Sequence, residues 1–268
     1  MPQPLRFLPD AAAAAAVVTR FAQRSSAEEL SYATVRDYCE SVDDLPQIAP
    51  TDGDLKNVQR PWAVKAILGC MPPPARLLEI GGGEPIVSGF LAELGYDVTL
   101  ADPYEGSGNG PTEYERYVQL FPHVKILRQY FRPGMPELTP KSFDCIFSVS
   151  VLEHIPPGSL VECFDAVAEF LKPGGVSLHC FDFILQGRGE FDNGPMAERI
   201  LAEQARITGK PEPESLSSLL DRLRADVETF YLSPQGHHQW RGRRPYDEFP
   251  FRKVVSLQTI ARRELDAP

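Results

Sequence analysis

Short apolar runs alternate with stretches of helical period along the middle of the chain. Leu77, Leu78 and Ile80 sit in one run; residues 97–101, 124–127, 143–149 and 176–181 form four more. Each has strand length, and the spans between them can hold helices. Residues 86–94 form one such helix. Residues 160–171 form another, with Val161, Phe164, Val167, Ala168 and Leu171 at spacings of three and four. A strand that is apolar on both faces must be covered on both faces. This alternation therefore predicts an α/β, doubly wound domain. Residues 228–232 and 253–261 can add two strands, giving a seven-stranded, mostly parallel sheet with helices on both faces.

The flanking segments read differently. Residues 1–60 are expected to form an N-terminal helical extension, with residues 61–268 forming the main domain. Ala11 to Val18, following Asp10, suits an alanine-rich helix. Ser26-Ala27-Glu28-Glu29 matches a capping box, so a helix is expected from there to about Val42, broken by Pro46 and Pro50. A further helix is expected after Arg60-Pro61-Trp62, ending near Gly69. Residues 184–227 carry two helical patterns, 196–208 and 215–227, and are read as an insertion that caps an acceptor pocket.

One turn carries most of the chemical information. Residues 77–80 run into Gly81-Gly82-Gly83-Glu84-Pro85, and the next strand ends on Asp102. Gly81 and Gly83 remove side chains where backbone must approach a ligand. Asp102 stands 19 residues after Gly83, where a carboxylate can accept hydrogen bonds from both ribose hydroxyls. A nicotinamide or flavin enzyme wants G-x-G-x-x-G, and Ile86 at the third position breaks that fingerprint.

The alternative is a resemblance. Glu79, Gly81 and Gly83 match the E/D-x-G-x-G-x-G pattern of class I S-adenosylmethionine-dependent methyltransferases, departing from it at Pro85. Phe143-Asp144-Cys145-Ile146, Leu152-Glu153-His154-Ile155 and Leu171-Lys172-Pro173-Gly174-Gly175 resemble two later strands of the same family and the helix between them. The likeness spans about residues 60 to 183. It implies the Rossmann-like methyltransferase fold and S-adenosyl-L-methionine as methyl donor. It also implies donor contacts at Glu79, Gly81, Gly83, Asp102, Pro103, Gln129 and Ser148. In such proteins N-terminal helices often lie over the cofactor or the acceptor, a place open to Trp62, as is plain packing. The loop Pro103 to Pro111, rich in small turn residues, lies beside the expected crevice and can act as a lid.

Charge and cysteine content narrow the partners. With 27 Lys and Arg against 37 Asp and Glu, the net charge is −10. A negative surface repels phosphate backbones, so no nucleic-acid partner is expected. No membrane partner is expected either, since no apolar run approaches spanning length. The five cysteines include no C-x-x-C pair and read as small hydrophobes in a reducing, cytoplasmic setting. The oligomeric state is left open.

Methyl transfer from a sulfonium needs a bound donor, excluded water and an aimed nucleophile. A hydroxyl nucleophile also benefits from a base within reach. His154 is the expected catalytic base, with Glu153 orienting it. Some relatives hold a divalent metal through E-x-x-E-H at this point; here Ser150 replaces the first acid. His179, Asp182, His237 and His238 are scattered, and no metal is expected. His237, His238 and Trp240, in a polar and aromatic stretch before the last strand, are the expected acceptor contacts. The reading is O-methylation of a small-molecule or saccharide hydroxyl. N- or C-methylation of a metabolite and non-catalytic S-adenosylmethionine binding stay open beside it.

Overall fold

The computed structural model describes residues 3–22, 29–106, 110–187, 193–211, 214–233 and 253–265. Among these residues seven strands form one sheet: β1 Glu29–Tyr32, β2 Arg76–Ile80, β3 Asp97–Ala101, β4 Lys125–Leu127, β5 Phe143–Val149, β6 Leu171–Gln186 and β7 Lys253–Arg262. Their spatial order is β1-β7-β6-β5-β2-β3-β4. β2 to β6 pair in parallel, whereas β7 is antiparallel to β6 and β1 antiparallel to β7. The chain leaves β2 toward β3 on one side and returns to β5 on the other. The C-terminal ends of β2, β3 and β5 thus border the reversal point where doubly wound sheets bind ligands.

Alternate residues of the strands feed two apolar layers. Cys145 and Phe147 on β5, with Leu77 on β2, pack in a layer with α1 Ala11–Phe21, α3 Lys56–Cys70, α4 Ile86–Glu93 and α5 Tyr114–Leu120. Ile146 and Leu78 point the other way, toward α6 Pro157–Phe170, α7 Asn193–Thr208 and α8 Leu216–Ala225. Fully buried rings such as Phe90, Phe147, Phe164 and Phe170 fill the layers, each stabilising by about 1.5–3 kcal/mol.

Several expectations are corrected. Ser26 lies outside the described residues, and no helix starts at Glu29: Glu29–Tyr32 is the edge strand β1. The helix that follows, α2 Val35–Asp44, opens on a different capping box, Thr34 with Asp37. The local cap signal lost to the open edge of β7, whose backbone groups β1 satisfies while burying Leu30 and Tyr32. Residues 228–232 do not make a strand; Thr229 and Tyr231 form isolated bridges to Thr34 and Val255. The strand expected at 176–181 extends over Leu171–Gln186, because β5 and β7 pair with it on both sides.

The helix expected after Pro61 begins earlier, at Lys56, and contains Pro61. Its nine buried positions outweigh the hydrogen bond a proline cannot donate. Trp62 on it is partly buried against the apolar layer. Asp10 caps α1, taking the Ala13 amide at 2.8 Å. α7 is a cover of the sheet, with Met196, Ala197 and Ile200 in the core and Gln204 donating to Ser177 O at 3.0 Å. It also packs on the turn that carries Glu153 and His154.

Candidate active site

At the end of β2 the chain enters a turn that only glycine adopts without strain. Gly81 has φ +62° and Gly83 φ +51°. The Gly81 amide donates to Ala101 O at 2.8 Å, locking the turn to the end of β3. A Cβ on Gly81 would stand 2.6 Å from Val151 Cγ1, and one on Gly82 would stand 2.5 Å from Leu100 Cδ1. Gly82 was not singled out from the sequence, but packing alone demands it.

Asp102 is tied into that turn. Gly83 N donates to its Oδ2 at 3.0 Å and Tyr104 N to its Oδ1 at 2.7 Å. The Tyr104 hydroxyl in turn donates to Gly83 O at 2.9 Å. Burial pushes the Asp102 carboxyl up, and the two amides pull it back down. Tyr104, with φ 52°, is fully buried. The loop read as a candidate lid is therefore pinned at its start; Ser107 to Asn109 lie outside the described residues. Tyr104 was missed because a tyrosine among small turn residues gives no local sign of burial. Pro103 sits between Asp102 and this anchor, half-buried. Pro111, at the loop's far end, is 3.1 Å from where a Gly83 Cβ would be.

Glu79 lies beneath the turn at 2% exposure. Its Oε2 accepts from Ser88 N at 3.2 Å and from the Ser88 hydroxyl. Burial raises its pKa to about 7, against those two hydrogen bonds. Ser88, on α4, is a partner that no motif announces. Gln129 is half-buried two residues beyond β4, and its side chain bonds the Glu137 carboxylate, holding that group below its usual range.

Ser148 faces inward. Its hydroxyl lies 2.8 Å from His179 Nδ1, and the Ser177 hydroxyl lies 2.8 Å from His179 Nε2. Ser148, Ser177 and His179 are fully buried, so the Ser148 side chain does not face the crevice. Burial drives His179 down to about 3, which makes it a neutral core residue. His179 and Asp182, three apart on β6, fall on opposite faces of the sheet.

Glu153 and His154 form a 3-10 turn, Leu152–His154, just past β5. His154 is half-buried and its amide donates to Val151 O at 2.9 Å. The Glu153 carboxylate turns inward: its Oε1 accepts the Asp182 amide at 2.8 Å. Gln59 Nε2 donates to Asp182 Oδ1 at 2.9 Å, and the Ser150 hydroxyl lies 2.7 Å from Gln59 Oε1. The sequence did not join Gln59, Ser150 and Asp182 because they come from three distant elements. Among the described residues, no three or more His, Cys, Asp or Glu side chains gather as a metal site. His237, His238 and Trp240 lie outside the described residues.

The strand order and the Asp102-bound glycine turn define a doubly wound domain of the class that binds nucleoside-type ligands. A family profile described as a methyltransferase domain matches residues 56–263, and the chain belongs to that family. It therefore carries an S-adenosylmethionine-dependent methyltransferase domain of class I. A ubiquinone biosynthesis O-methyltransferase of Pseudomonas aeruginosa is 34% identical over 102 residues, 37% of this chain and 41% of that one. An uncharacterized protein of Mycobacterium tuberculosis is 34% identical over 109 residues, 40% of this chain and 36% of that one. The chain thus spans about two-fifths of the curated relatives it matches. Among solved structures, a TehB-like methyltransferase from Corynebacterium glutamicum covers 65% of this chain and 82% of its own, at 19% identity and TM-score 0.44. No helix among the described residues is long and apolar enough to cross a membrane.

Proposed function

We propose that the protein methylates a hydroxyl group of a small molecule, using S-adenosylmethionine as donor. The observation that carries this is Asp102, clasped to the glycine turn by the Gly83 amide at 3.0 Å. The residues present fit such a donor. Asp102 is fixed by two backbone amides and keeps lone pairs for ribose hydroxyls. A Cβ on Gly83 would fill the space between Pro111 Cδ, 3.1 Å away, and Asp102 Oδ2, 4.0 Å away, which glycine leaves free. Gly81, Gly83, Asp102, Pro103 and Gln129 are the proposed donor contacts, with Glu79 and Ser148 supporting them from within.

When bound, S-adenosylmethionine supplies a methyl group already activated by positive charge on sulfur. The chain's part is to bind, aim and exclude water. Asp102 and the turn fix the donor end. Glu153 and His154, at the C-terminal end of β5, stand where an acceptor would meet it, with α7 packed behind them. A hydroxyl acceptor is supported by these proton-accepting groups and by the O-methyltransferase relatives. A saccharide form of the acceptor rests on His237, His238 and Trp240. A cytoplasmic setting is supported by Cys145, Cys163 and Cys180, buried thiols acting as small apolar groups, with burial raising Cys163 to about 12.

Calorimetry tests the donor site. Asp102→Ala leaves bound hydroxyls unpaired, at about 1–3 kcal/mol, so S-adenosylhomocysteine should bind roughly 5- to 150-fold more weakly. Unchanged affinity in a folded Asp102→Ala protein would refute the placement.

A further inference from the structure

Two carboxyl groups meet beneath α3, and each keeps one buried oxygen without a partner among the described residues. Asp182 on β6 is 7% exposed and Glu153 is 9% exposed. Asp182 Oδ1 takes Gln59 Nε2 at 2.9 Å and lies 3.3 Å from the Ser150 hydroxyl. Glu153 Oε1 takes the Asp182 amide at 2.8 Å. Asp182 Oδ2 and Glu153 Oε2, both buried, have no hydrogen-bond partner among the described residues. A buried ionised carboxylate with a bare oxygen, set beside a second carboxylate, calls for a proton or a positive charge.

Among the described residues, the charged groups acting on the pair are Lys56 at the start of α3, which favours the ionised forms, and Asp54 just before it, which opposes them at Asp182; the Cys180 thiol lies nearby on β6. Burial first, then the Glu153 charge, raises Asp182 to about 7; burial raises Glu153 to about 7. The cluster also adjoins the donor site. Ser150 precedes Val151, the side chain that a Cβ on Gly81 would strike.

We propose that Glu153 and Asp182 hold one proton between them in the free protein, release it when a positively charged donor occupies the glycine turn, and then accept the acceptor's proton during methyl transfer. This rests on the donor reading above. The pair gives its first proton to the buffer. It takes the second from the acceptor's heteroatom as that atom's bond to the methyl carbon forms and the sulfur–methyl bond breaks. The electron pair of the broken bond stays on sulfur, the positive charge disappears, and the pair is left holding one proton as at the start.

The test compares S-adenosylmethionine with its uncharged-sulfur product, S-adenosylhomocysteine, by calorimetry at pH 6.5 in phosphate and in imidazole. Buffers of different ionisation enthalpy report protons released. A positive charge close by favours the ionised carboxylate, so S-adenosylmethionine should release between about one half and one proton and S-adenosylhomocysteine close to none. Asp182→Asn and Glu153→Gln should abolish that difference while still binding S-adenosylhomocysteine. Equal proton release by the two ligands in the wild type overturns the inference, as does an unchanged difference in Asp182→Asn. If neither variant folds, the wild-type comparison decides alone. Absence of binding by both ligands overturns the donor reading itself, and this inference with it.

Discussion

Replacing Gly81 and Gly83 by alanine should separate the turn's structural role from its binding role. Both residues sit at positive φ, +62° and +51°. Holding an L residue there costs about 1–2 kcal/mol in each case. The added methyl groups meet different neighbours. At Gly81 the Cβ would lie 2.6 Å from Val151 Cγ1 and 3.0 Å from Cγ2, so a half-buried side chain must move. Overpacking adds about 1–3 kcal/mol, for a total of roughly 2–5 kcal/mol. At Gly83 the nearest atom would be Pro111 Cδ at 3.1 Å, with Asp102 Oδ2 at 4.0 Å, so the proline need give only a few tenths of an ångström and the backbone cost dominates. At about 2–4 °C per kcal/mol, Gly83→Ala should lower the melting temperature by about 2–8 °C and Gly81→Ala by about 4–20 °C. S-adenosylhomocysteine affinity should run the other way relative to stability, because the Gly83 methyl fills the cradle beside Asp102. Thermal melts and calorimetry on both variants measure the split. Val151→Ala in the Gly81→Ala background should recover part of the loss, a coupling of about 1–3 kcal/mol in a double-mutant cycle. Strictly additive melts would refute the clash as the cause. Unchanged S-adenosylhomocysteine affinity in Gly83→Ala would remove that residue from the donor site.

Two further outcomes follow from the same site. Glu79, Glu153 and Asp182 each have a folded pKa raised to about 7. A raised acid stabilises the fold below its unfolded pKa, and that contribution is lost as pH rises through the folded value. The melting temperature should therefore fall between about pH 4.5 and 7 and level off above that; Glu79→Gln should flatten the fall, and a slope identical to wild type would refute its share. Tyr104→Phe removes only the hydroxyl that reaches Gly83 O, so a loss of about 1 kcal/mol in stability is expected, with donor affinity within about threefold of wild type. A collapse of affinity in that variant would mean that Tyr104 itself holds the ligand.

What the sequence made legible follows from distance along the chain. The apolar runs at 77–80 and 143–149 announce buried strands through their own composition, and both are strands. The glycine turn and Asp102 could be read because spacing within one βαβ unit fixes their approach. β1 could not. Its place depends on the open edge of β7, more than 200 residues later, and a capping-box pattern spoke locally for a helix. The carboxyl cluster was equally hidden. Gln59 and Asp182 are 123 residues apart, and neither belongs to a recognised motif.

Glu79 shows why a motif residue and a ligand-binding residue are different claims. Spacing from the glycines marks it as part of a donor motif, and its carboxylate is 2% exposed with both bonding partners on Ser88. Ser88 lies in the first turn of α4, so Glu79 ties the end of β2 to the start of the helix that follows. The turn between them is Gly81-Gly82-Gly83, which lacks side chains of its own to fix its shape. A chain of such residues needs an external clamp to stay preorganised, because glycine loses the most conformational freedom on ordering. Glu79 supplies that clamp from below, and Asp102 with Tyr104 supplies it from above. The acid that opens the motif therefore serves the crevice by shaping it. The acids with orphaned oxygens, Glu153 and Asp182, are the ones placed to answer a charge that enters it.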